Sequence, residues 1–120
     1  MKTNASLFRP TSAGAISLPE NTQFSPQGIV SRALVTTPGL RVTLFGFAEG
    51  QELTEHASSS RALVQILSGR SEWMVAGERM VLGAGEVLHM PPGTRHAVRA
   101  AEPFSMLLTL VKETEGGGRE

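Results

Sequence analysis

Imidazole is the reactive group that this 120-residue chain has to offer, since it carries three histidines and no cysteine. Two of them, His89 and His96, lie in the run GEVLHMPPGTRHAV (residues 85–98), where a proline–glycine turn separates two segments of strand character. The third, His56, follows Glu55 and stands just ahead of SSSR at 58–61. A neutral imidazole can ligate a divalent metal, act as a general base or accept a hydrogen bond. The absence of cysteine excludes thiolate ligands, a thiol nucleophile and a disulfide framework. Three hydroxyls in SSSR do not amount to a serine triad, because chain order alone fixes no triad geometry.

The segments that must position these rings read as β-structure. Residues 29–37 (IVSRALVTT) and 40–48 (LRVTLFGFA) are β-branched and partly alternating, and Pro38–Gly39 between them is a turn signal. Residues 61–69 read as a buried strand ending at a glycine, 71–86 as a hairpin turning near Gly77, and 86–90, 95–100 and 104–111 as three more strands. About eight short strands at spacings of roughly 8–12 residues predict an all-β sandwich or small barrel. No helical period is sustained long enough for a βαβ unit.

Composition sets the boundaries. Residues 1–27 are rich in Ser, Thr, Asn, Pro and Gly with isolated Leu7, Phe8, Ile16, Leu18 and Phe24, and are predicted to form a flexible arm or one exchanged with a second subunit. Residues 28–112 are predicted to form the barrel, and 113–120 a disordered, charged, glycine-rich tail. Eleven basic and eleven acidic residues give a net charge of zero, which argues against nucleic acid or an anionic membrane as partner. No secretory leader and no membrane-spanning run is visible, so a cytoplasmic protein is expected.

Two spacings carry a resemblance. Gly50-x5-His56, followed by a strand closing at Gly69, and Gly85-x5-Pro91-x-Gly93-x2-His96 resemble the two motifs of the cupin superfamily, G-x5-H-x-H-x3-4-E-x6-G and G-x5-P-x-G-x2-H-x3-N. The second motif lacks only its Asn, here Ala100, whereas the first has Ser58 at its second His and Ala62 at its Glu. The resemblance spans roughly residues 28–111 and implies a double-stranded β-helix, the jelly-roll barrel of that superfamily. It also implies a divalent metal held by His56 and His96 inside the barrel, and a homodimer. Apart from the family, alternate side chains of a barrel strand point inward, and Pro91 and Gly93 stiffen the corner that aims His96.

The functional expectation is a divalent transition metal (Fe, Mn, Ni, Cu or Zn) on His56, His96 and, as third ligand, His89, serving a dioxygenase or isomerase reaction on a small organic substrate. A catalytic site of this kind takes about three protein ligands, and only two come from the motifs. If strands 86–90 and 95–100 paired directly, His89 would face His96; a jelly-roll corner sends them to different sheets. The alternative is a metal-free barrel that binds a small molecule through His56, His96 and nearby Arg61, Arg95 or Arg99, or a structural barrel with no catalysis. Gln65 is out of phase with Ser58 and Ala62, and Glu55 points away from His56 in a regular strand. Whether the chain is an enzyme stays open at this point, as does the role of Trp73, Met74 and Met80 on the 71–82 hairpin. A homodimer joined by strand addition is expected from exposed edges and the apolar arm.

Overall fold

A computed structural model describes residues 6–113. Among them are one short helix, α1 (Leu18–Asn21), and nine strands: β1 (Val30–Thr37), β2 (Leu40–Phe47), β3 (Glu52–His56), β4 (Arg61–Ser68), β5 (Arg70–Val75), β6 (Glu78–Gly83), β7 (Val87–Met90), β8 (His96–Ala100) and β9 (Phe104–Val111). They form a five-stranded sheet in the order β1-β2-β9-β4-β7 and a four-stranded sheet in the order β3-β8-β5-β6. All pairings are antiparallel, and successive strands repeatedly change sheet. This is a double-stranded β-helix. β3 is the strand missing from the sequence reading: four of its five residues are exposed, so it has no apolar alternation to betray it.

Period-two patterning builds the interior. In β4, Ala62, Val64 and Ile66 are buried while Leu63 and Gln65 between them are exposed. Phe104 and Met106 on β9 continue the same inner face, paired beside Phe47 and Phe45 of β2. Phe47 and Phe104 are fully buried, with rings stacked at 4.5 Å, and together with Ile66 and Ala100 they fill one end of the barrel. Trp73 of β5 roofs the core from the other sheet. Its indole N–H donates to Ser71 Oγ (2.8 Å), and that hydroxyl donates to the Leu82 carbonyl, so both buried polar groups are satisfied.

Described residues of the N-terminal arm lie on the barrel of their own chain. Leu7 and Phe8 donate backbone N–H groups to Ala33 and Leu34 of β1 (3.1 and 2.7 Å), which covers that sheet edge. Ser17 caps α1, and Gln51 Nε2 donates to the Ser25 carbonyl. Residues 1–5 and 114–120, the ends of the expected arm and tail, lie outside the described residues. Among the described residues no helix is long and apolar enough to cross a membrane.

Gly69, between β4 and β5, is tightly constrained. Its φ is +77°, and a Cβ there would lie 2.0 Å from the Pro103 carbonyl oxygen. Only glycine lets the backbone before β9 approach this closely.

Candidate functional site

His56 and His96 face each other across the β3–β8 pair: they are register partners, with ring centroids 4.3 Å apart and planes inclined at 58°. Two different devices bring them together. On β8, His96, Val98 and Ala100 alternate regularly, so all three side chains share the inner face. On β3, Leu53 pairs with Val98 and His56 with His96, so three steps along one strand match two along the other. That extra residue is a β-bulge, and it places Leu53 and His56 on the same side despite their odd separation. Glu55 is left on the outside, where its carboxylate meets Arg95 at 3.3 Å.

Backbone carbonyls then fix the rings. His56 Nδ1–H donates to the Thr54 carbonyl (2.7 Å), and His96 Nδ1–H donates to the Thr94 carbonyl (2.9 Å). A carbonyl only accepts, so in each neutral ring the proton sits on Nδ1 and Nε2 carries the lone pair. Neither Nε2 has a hydrogen-bond partner among the described residues. Thr94 is itself held by the proline–glycine corner, its N–H and hydroxyl both bonding the Pro91 carbonyl. Gly93, at φ +83°, donates its N–H to the Ser58 carbonyl (2.7 Å), so the turn before His96 is tied to the loop after His56.

The two rings border a cavity of about 200 Å³ inside the barrel. Ser58 is its other polar neighbour; the remaining wall, including Phe45, Ala62, Val64, Met90 and Met106, is apolar. His56 is exposed at the rim and His96 half-buried within. Trp73 forms one side, its ring centroid 6.4 Å from that of His96. Among the described residues no Asp, Glu, Lys or Arg lines this space.

His89 requires a correction. It belongs to β7, in the opposite sheet from His96, and its neighbours Leu88 and Met90 point inward, so its own side chain points outward. There it faces Leu63 in register, and Arg61 Nη1 donates to its Nε2 at 2.9 Å. The lone pair that would bind an ion is therefore taken, on the wrong side of the sheet. The arginines differ from expectation too. Arg61 pairs with Glu113, Arg95 with Glu55 and Arg99 with Glu72, none of them at the cavity wall. The Glu113 side chain raises the Arg61 pKa through its hydrogen bond, and Arg61 holds the Glu113 carboxyl below its ordinary range by the same bond. Gln65 is exposed, in keeping with its phase.

The chain matches the Cupin domain family model over residues 43–111. It belongs to the cupin family. Its barrel is similar to that of a conserved protein of unknown function from Streptococcus pyogenes, at 32% identity and TM-score 0.80, covering 92% of this chain and 97% of that one. A cupin 2 conserved barrel domain protein from Leptotrichia buccalis is 36% identical with TM-score 0.76, over 81% of this chain and 47% of the other. A cupin superfamily protein from Desulfitobacterium hafniense shares the fold at 23% identity, TM-score 0.80, over 91% and 100% of the two chains. Among curated proteins, none matches this cupin.

A divalent ion is the group that this family implies, and the donor set can be tested against it. Two imidazoles and one neutral hydroxyl border the cavity, and Ala62 brings no donor. Among the described residues no group of three His, Cys, Asp or Glu side chains is placed to share an ion. A protein-held divalent metal needs about three such ligands. The residues of this cupin do not fit that requirement.

Proposed function

We propose that this cupin is a metal-free binding protein for a small organic molecule, taken into the barrel between His56, His96 and Trp73. The observation that carries the reading is the cavity itself: about 200 Å³, apolar except for Ser58 and two imidazoles held in fixed orientation. Pockets for small ligands combine such a hydrophobic lining with a few placed polar groups. A roughly 150 Å³ apolar cavity accepts benzene, which sets the scale of the ligand here.

A second reading has one observation in its favour. Backbone carbonyls that orient imidazoles through Nδ1 are also how metal-ligating histidines are commonly aimed. Elemental analysis after incubation with iron, manganese, nickel, copper and zinc salts separates the two. Substoichiometric metal after desalting is the expected result. One equivalent per chain that disappears in a His56→Ala, His96→Ala double variant would replace the proposal with a metal site.

A further inference from the structure

The orientation of the two imidazoles specifies the kind of group that the ligand presents. Each Nδ1–H is spent on a backbone carbonyl, Thr54 for His56 and Thr94 for His96. The ring edge left for the cavity is the Nε2 edge, which in the neutral ring accepts and does not donate. The Trp73 N–H, the other side-chain donor in this wall besides Ser58, is already given to Ser71 Oγ. Of the carboxylates and guanidinium groups on the elements packed around the rings, Glu55 pairs with Arg95, Glu72 with Arg99 and Glu113 with Arg61, while Glu52 and Arg70 are exposed, and none of these lines the cavity. The cavity thus offers two imidazole acceptors and the Ser58 hydroxyl within an apolar wall and, among the described residues, no fixed positive charge.

We infer that the ligand is a phenol: an apolar ring of about benzene size whose single hydroxyl proton is given to the Nε2 acceptor of His56 or of His96. This rests on the small-molecule reading above. His96 is half-buried, and an acceptor that a ligand shuts off from water without giving it a donor is costly, so a pure hydrocarbon is penalised where a hydroxyl-bearing one is not. A carboxylate has no proton to give and would set its charge against two lone pairs in a wall without a fixed cation. The aromatic rings of Phe45 and Trp73 in the wall favour an aromatic body over an alkyl one.

Phenol, toluene and benzoate are close in size and differ in the group presented. Titration of the full-length protein near neutral pH, followed by calorimetry and by fluorescence of Trp73, the single tryptophan of the chain, compares them directly. Phenol is expected to bind about tenfold more tightly than toluene, and benzoate more weakly than phenol. In the His56→Leu, His96→Leu double variant, with the fold checked by circular dichroism, the phenol-to-toluene ratio is expected to fall toward one. The comparison of three ligands on the native protein decides the matter even if a variant fails to fold. Toluene equal to phenol, benzoate tighter than phenol, or a ratio unchanged in the folded double variant would each overturn the phenol assignment while leaving a binding cavity in place. Failure of all three ligands to bind would overturn both this assignment and the small-molecule reading beneath it.

Discussion

At the level of single residues, the site depends on backbone conformation as much as on the imidazoles. Gly93 holds φ +83° with open space where a Cβ would go, so Gly93→Ala meets backbone strain alone. A cost of about 1–2 kcal/mol is expected from a non-glycine residue in that region, read from the urea midpoint. Gly69→Ala adds to the same strain a contact of 2.0 Å with the Pro103 oxygen, and is expected to cost more than Gly93→Ala in the same assay. The pair Arg61–Glu113 makes a pH prediction with a definite sign. The folded carboxyl titrates below its unfolded value, so whatever stability it lends is present above the ordinary carboxylate range and is lost as pH falls through the lowered value. Glu113→Gln is therefore expected to leave the thermal midpoint lowered slightly at neutral pH, with the difference from the native protein vanishing in acid. Both side chains are solvent-exposed, so the effect is small.

At the level of strands, the sequence was most legible where one face is buried. The β-branched, partly alternating runs that become β1 and β2 and the turn signals at Pro38–Gly39 and Gly77 announce the sheets that the structure contains. The inner end of the barrel depends on them: Phe104→Ala, which removes a fully buried ring stacked on Phe47, is expected to cost about 3–5 kcal/mol in chemical denaturation. What could not be read was β3, whose exposed residues carry no period, and the bulge within it. Strict alternation from Leu53 would face Glu55 inward and His56 outward, so the motif spacing located His56 but not the reason it reaches the cavity. His89 was illegible for a different reason. Its orientation depends on which sheet β7 joins, a long-range fact, although its buried neighbours Leu88 and Met90 do reveal the parity once the strand is fixed.

At the level of the whole molecule, one end of the barrel is packed solid by Phe47, Phe104 and Ile66, and the other holds the cavity. Cavity and stability are therefore separable. Ala62→Phe, aimed into the space from β4, is expected to abolish ligand uptake while leaving the far-ultraviolet circular dichroism of a folded β-protein. Loss of both together would mean that the space cannot receive a larger side chain without disturbing β4 and β9.

The irregularity in β3 has a wider consequence, because it makes the chemical character of the interior a matter of counting. A straight ladder beyond Leu53 would set Glu55 opposite His96 and turn the imidazole of residue 56 toward solvent. The same letters, slipped by a single step, would then spell an acid–base dyad instead of twin lone pairs. Relatives that are longer or shorter by one amino acid in this segment can thus hold a different reactive pair without exchanging a single residue type.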